Sequence, residues 1–403
     1  MDREDVSETN SNEAANDNQI NRRHFLKAGA ALGGALALGE GMFHPASSLE
    51  LERKDAAGEV GILGCTPETS TDGYFDNSVP PVLRIKSGDT VEIETGTHLM
   101  GGMIPGAEAQ DWIRMYKQMM DKYPGTNFYP DARTGVKKLE KRPNHTHLTG
   151  PIHVEGAEPG DVLQIEILEI VPTAYGFNIT PESTFAKSGL LADDFPKGQV
   201  RWYRVDLKNM KFKFLPGIEV PVRPFPGTLG VELPEAGRYT NIPPGKHAGN
   251  LDCKEMVAGT VLYVPVWVKG AGVKTGDSHL AQGDGEINVS ALEGAFRNIT
   301  LRITVRKDLK NKVDWPFLST PTHWVTFGIH TDLYEACKMS MQEAVKFLYA
   351  HYGIPKDEAY AFCSMAVDMR VTQVVDYAMG IHAMIAKSNF AGSQYAAKNT
   401  LLL

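Results

Sequence analysis

Between residues 80 and 305 the chain is written in short apolar runs rich in Val, Ile, Leu and aromatic residues, closed off every few positions by Pro or Gly. The segments 81–85, 90–94, 162–170, 199–205, 211–214, 261–268 and 298–305 are therefore predicted as strands. One helix is predicted to interrupt them over 106–123. From Thr331 the period changes: apolar residues recur at three- and four-residue spacing after Asp332, which predicts an amphipathic helix over 332–348, stopped by Gly353 and Pro355. A second helix is predicted from Lys356 through Met365 and a third around 373–379. The expected fold class is mainly β, as barrel-like or sandwiched sheets over 80–305, with a helical C-terminal segment over 331–390, α+β overall.

The amino end carries a separate signal. Arg22-Arg23-His24-Phe25-Leu26-Lys27 precedes an uncharged Ala/Gly/Leu run over 28–38, the layout of a twin-arginine signal peptide. Residues 1–47 are expected to be leader and 48–403 the working domain, with cleavage near Ala46. That run is too short for a membrane span, which needs about 20 apolar residues. The expected partner is the twin-arginine export machinery and the expected location the periplasm or the exterior. A formal charge of -8 leaves no basic patch, so nucleic acid is not an expected partner.

The chemistry is concentrated in Gly276-Asp277-Ser278-His279-Leu280-Ala281-Gln282-Gly283-Asp284-Gly285-Glu286. Asp277 and His279 are two apart, so an extended backbone points both to one face. Gln282, Asp284 and Glu286 repeat that spacing after a slip that Gly283 and Gly285 permit. Hard oxygen donors with an imidazole suit a divalent cation, zinc first, with manganese or calcium as alternatives and a second ion open. Other chemistries find less support. There is no Gly-x-Ser-x-Gly elbow, and the glycines at 270 and 272 lack the third of a dinucleotide fingerprint. The four cysteines show no CxxC and are expected as free thiols; Cys253 has no base beside it in sequence.

This stretch, together with His247-Ala248-Gly249-Asn250-Leu251-Asp252-Cys253 before it, Ala291-Leu292-Glu293 after it, and Gly150-Pro151-Ile152-His153-Val154-Glu155-Gly156-Ala157-Glu158-Pro159-Gly160-Asp161 upstream, resembles the acetamidase/formamidase family over roughly 80–387. The resemblance implies an amidase that releases ammonia and a carboxylate from a small aliphatic amide or formamide, in a homo-oligomer. Three departures stand out. His98 occupies a position where relatives often carry aspartate. Ala248 replaces a glycine, and the stretch 286–292 lacks the usual small, Cys-Gly-Thr-rich residues.

Asp252, His279 and Glu286 are the expected metal ligands, with Asp277, His98, Gln282 and Asp284 as further donors. Glu155 and Glu293 are the expected proton carriers, and His247, Asn250 and Gln282 the expected substrate contacts. His145 and His147 form an HxH pair that is either a ligand pair or ordinary loop histidines, while His153 is expected to be structural and Glu158 a turn residue. A hydrolase of a cyclic or larger amide, or a metal-stabilised binding protein without turnover, are the alternatives on the same scaffold.

Overall fold

The computed structural model describes residues 60–99, 101–122, 128–137, 146–183 and 189–395. The twin-arginine segment and His145 lie outside them.

Alternation of apolar and polar residues builds two large sheets, as the short runs predicted. The first contains nine strands, and its centre is the long pair Val162–Pro172 and Phe296–Arg306, antiparallel from Phe296↔Pro172 to Arg306↔Val162. Leu163, Ile165, Ile167, Ile299, Leu301 and Ile303 from these two strands are buried and form part of one continuous core. The second sheet contains eleven strands and carries the chemistry. Its organising element is Ala271–Ala281, which pairs with Leu148–Val154, Phe225–Gly230 and Leu292–Gly294. The side chains of residues 273–280 on this strand are buried, on both faces, which is why it reads as a nearly continuous interior segment.

The predicted early helix forms as α1 (Ala109–Lys122). In the C-terminal region α2 (Leu333–Phe347) starts where Asp332 Oδ1 accepts from the Glu335 amide at 3.0 Å. A wider turn over Leu348–Tyr352 ends at Gly353, whose φ of 71° is the left-handed cap that glycine adopts without penalty. Then α3 (Lys356–Ala366) follows.

The third predicted helix does not form. Val367–Gln373 is a strand paired with Met379–Ala386, and residues 374–378 are the turn between them. Val, Met, Thr and Ile side chains satisfy both the helical spacing and the pleat here, and pairing across the sheet decides the outcome. The correction has a structural consequence: Gly285 bonds Thr372 and Val374 through its backbone, at 3.1 Å each, so this turn holds the 283–286 loop.

Candidate active site

Register on the second sheet assembles the site. His279 lies directly opposite Glu293 on one side and Phe225 on the other, and Thr228 lies opposite both Gly276 and Asn250. Asp252 follows Asn250 by two residues. Glu286 enters from the 283–286 loop, His98 from the loop after Thr90–Ile93, and Asp376 from the turn after Val367–Gln373.

These segments converge on two adjoining buried sets of donors, His98 with Asp277 and Glu293, and Asp252 with His279 and Glu286; within each set the ligand atoms lie within 4.8 Å of one another. Asp277 Oδ1 is 2.9 Å from His98 Nε2 and 3.6 Å from His279 Nε2. Glu293 Oε2 sits 3.4 Å from the Nε2 atoms of both histidines. A charge-assisted hydrogen bond is about 2.7–2.9 Å long, and among the described residues Glu293 Oε2 and Asp252 Oδ1 have no hydrogen-bond donor.

Backbone strain gathers at the same place. Asp252, Asp277 and Glu286 all take positive φ, at 49°, 52° and 45°. For residues with a Cβ such backbone costs on the order of 1–3 kcal/mol each and persists where surrounding packing enforces it. A glycine keeps the centre open: a Cβ on Gly227 would stand 2.7 Å from Asp252 Oδ1 and 2.8 Å from His279 Nε2.

Asn250 ties the carboxylates together. Its Nδ2 donates to Asp252 at 2.7 Å and to Asp376 at 3.1 Å, while its Oδ1 accepts from Thr228 Oγ1 at 2.5 Å. Asn241 donates to Thr228 in turn at 3.0 Å.

Electrostatics follow from seven buried titratable groups in close contact. Burial opposes charge on His98, but Glu293 and Asp277 raise its pKa to about 9. His279, against the same burial, is held well above the usual histidine range by Glu293, Asp277 and Glu286. Asp277 and Glu293 are held below the ordinary carboxylate range, burial notwithstanding, by His279 and His98. Burial pushes Asp252 and Glu286 well up and Asp376 to about 7; neighbouring carboxylates add to the rise at Asp252, while His279 opposes it at Glu286, as do Asp252 and His279 at Asp376.

The structure thus brings Asp252, His279, Glu286, Asp277, His98 and Glu293 into one cluster, with Asn250 and Gln282 bonded to its members. It separates others. Glu155 is exposed at the far end of Leu148–Val154, where His153 pairs with Ala271. Ala271 and Asp277 are six residues apart on one strand, about 20 Å of extended chain. The His247 ring packs edge-on to Phe75 at 4.9 Å, and neither nitrogen bonds a member of the cluster. Asp284 pairs with Lys254 at 3.0 Å. His147 is buried with Nδ1 3.6 Å from Asp72, and burial pushes the Cys253 thiol up to about 12, leaving it a poor nucleophile. Asp376 is the residue that sequence reasoning missed.

Residues 116–236 and 234–387, together more than half the chain, match the acetamidase/formamidase family. The chain belongs to the acetamidase/formamidase family. Its relatives include a formamidase from Methylophilus methylotrophus, 26% identical over 381 residues that cover 76% of this chain and 86% of the relative. An acetamidase from Mycolicibacterium smegmatis is 30% identical over 229 residues, 43% of this chain and 55% of that one. Among solved structures, an acetamidase from Bacillus halodurans aligns with a TM-score of 0.67 at 28% identity, covering 83% of this chain and 99% of its own. This member of the acetamidase/formamidase family is an amide-hydrolysing enzyme. It carries a twin-arginine translocation signal at residues 19–39, and no helix among the described residues is long and apolar enough to cross a membrane.

Proposed function

We propose that this enzyme is a metal-dependent amidase that hydrolyses the C–N bond of a small linear amide, releasing ammonia and a carboxylate outside the cytoplasm. The observation that carries this reading is the buried cluster itself: six carboxylate and imidazole side chains drawn from distant segments, with acceptor atoms on Asp252 and Glu293 left unbonded. An unpaired buried carboxylate oxygen costs several kcal/mol unless a cation or proton meets it, roughly the price of desolvating a charge. The donor set and the space beside Gly227 fit a divalent ion, zinc first, with manganese or calcium also compatible with the oxygen donors.

Asp252, His279 and Glu286 would hold the cation, and His98 and Asp277 adjoin it as further donors. When bound, the ion supplies Lewis acidity that polarises the amide carbonyl and eases deprotonation of water. The protein's own contribution is proton handling and alignment. Glu293 is anchored through Oε1 by the Ala291 amide at 2.8 Å and Ser290 Oγ at 3.2 Å, which leaves Oε2 facing the cluster. With Oε2 3.4 Å from the Nε2 atoms of His98 and His279, it is placed to take a proton from attacking water and return it to the departing nitrogen. Water oxygen ends on the acyl carbon, the C–N bond breaks, and nitrogen leaves as ammonia.

Chelation followed by re-addition of zinc or manganese tests the reading. Ammonia release from formamide and acetamide should disappear and return, and activity indifferent to the chelator at full metal removal would reject it. Glu293→Gln separates turnover from binding, since it should cost about 10²–10⁴-fold in kcat.

A further inference from the structure

A cavity of about 1130 Å³ adjoins the cluster, with Glu286 and Gln282 in its wall. Phe225, which also lines it, meets the His279 ring edge-on at 5.2 Å. Further along, the lining is aromatic: Tyr203 lies 5.0 Å from Phe212 and 5.8 Å from Phe214, stacked on the latter with an interplanar angle of 26°. The segment that departs from the family pattern, 286–292, contributes Ile287, Ser290 and Leu292 to the same wall.

Size and polarity both bear on what fits. Cavities of about 300–1,000 Å³ hold ligands of drug size. An amide of one or two carbons would leave most of this space, and all of its aromatic surface, to water. Of the four cations in the wall, three are engaged, Lys254 with Asp284 at 3.0 Å, Arg223 with Glu255 at 3.5 Å and Arg201 with Gln199 and Thr180, and the fourth, Lys197, shares the wall with the carboxylates Asp194, Asp284 and Glu286. The cavity is therefore not built to select an anionic substrate. A neutral apolar group gains from it by covering ring faces, and an aromatic one gains further from ring pairing.

Resting on the amidase reading, we propose that the preferred substrate is a neutral primary amide with an arylalkyl acyl group. The carboxamide lies at the cluster, and the ring lies against Tyr203, Phe212 and Phe214. Hydrolysis of such an amide consumes one water, breaks the C–N bond and yields an arylalkanoic acid and ammonia.

The test compares kcat/KM for formamide, acetamide, phenylacetamide and 3-phenylpropanamide on the metal-loaded full chain. Phenylacetamide should exceed acetamide by about tenfold or more, the discrimination that a few apolar carbons can supply. Phe214→Ala, at a side chain 44% exposed and so not needed for folding, should lower the phenylacetamide-to-acetamide ratio by about tenfold. Equal or better use of acetamide, or a ratio unmoved by Phe214→Ala, overturns the proposal. If the loaded enzyme turns over none of the four amides, the amidase reading fails separately, and calorimetric titration decides the cavity. Phenylacetamide bound more tightly than acetamide, and weakened by Phe214→Ala, sustains the aryl subsite, whereas binding of neither removes it.

Discussion

His279 Nδ1 lies 2.7 Å from Gln282 Oε1. Gln282 Nε2 is committed to the Asp252 carbonyl at 2.8 Å, so its oxygen faces the ring and must accept. His279 Nδ1 then carries a proton, and Nε2 is the nitrogen that faces the cluster and can meet a metal once its own proton has left. Gln282→Leu keeps the bulk and removes the acceptor. Metal affinity, measured by competition with a chromogenic chelator, should fall about 10–100-fold with ammonia release falling alongside. Unchanged affinity would mean that the ring is oriented by something else.

Gly227 offers a sharper test of the cluster's volume. A methyl group there would stand 2.7 Å from both Asp252 Oδ1 and His279 Cε1, inside van der Waals contact and against two of the side chains that would hold the cation. Gly227→Ala is expected to abolish metal uptake, read by elemental analysis. Thr228→Ser, one residue on, keeps the hydroxyl that bonds Asn250 and should retain the metal. Full occupancy in the alanine variant would place the ion elsewhere.

Asn250 donates from one amide to two carboxylates, Asp252 and Asp376. Asn250→Leu removes both bonds and leaves buried acceptors unmet, a cost of about 1–3 kcal/mol per group. The expected outcome is a lower denaturation midpoint for the metal-free protein together with a large loss of activity. A variant with parental stability would show that Asp252 and Asp376 find other donors or take up protons.

Much of this site was legible in the chain because its donors cluster locally. Asp277 and His279 share a strand face through two-residue spacing, and Gly283 and Gly285 announce the loop that brings in Glu286. The resemblance to a family supplied Asp252, Glu293 and the position of His98. Asp376 was hidden because 373–379 carries a helix-like spacing, and only pairing of Val367–Gln373 with Met379–Ala386 turns it into a hairpin whose turn reaches the cluster. Glu155 misled for a related reason. It stands beside a signature segment, but strand register sets which end of Ala271–Ala281 it meets, and register is a long-range property that local spacing does not encode.

Loading the cluster should release protons. Without a cation His98 titrates at about 9 and His279 is held well above the ordinary range, so both are protonated at neutral pH, and Asp252 and Glu286 are pushed up as well. Ligands must be deprotonated to bind. Calorimetric titration of zinc into metal-free protein, in buffers of different ionisation enthalpy, should report at least about one proton released per ion at pH 7, and apparent affinity should rise with pH. Heats independent of the buffer would contradict the cluster as the binding site.

A last prediction concerns acid stability away from the cluster. His351 is buried in an aromatic nest, with ring centroids 4.9 Å from Trp324, 5.0 Å from Phe347 and 4.6 Å from Tyr352, and neither of its nitrogens has a hydrogen-bond partner among the described residues. Burial, with Lys387 nearby, lowers its pKa to about 4. The unfolded chain therefore binds this proton more readily than the folded one between about pH 6.5 and 4. Stability from the neutral ring is complete above the unfolded value and is lost as pH falls through that window, about 2 kcal/mol of it by pH 5. His247 and His382 shift in the same direction, to about 3 and about 4. His351→Phe keeps the ring contacts and abolishes this titration. In urea denaturation the variant should match the parent within about 1 kcal/mol at pH 7.5 and exceed it by about 2 kcal/mol at pH 5, because only the parent must exclude a proton in order to fold. Parallel pH profiles for the two proteins would show that His351 does not sense the acid transition.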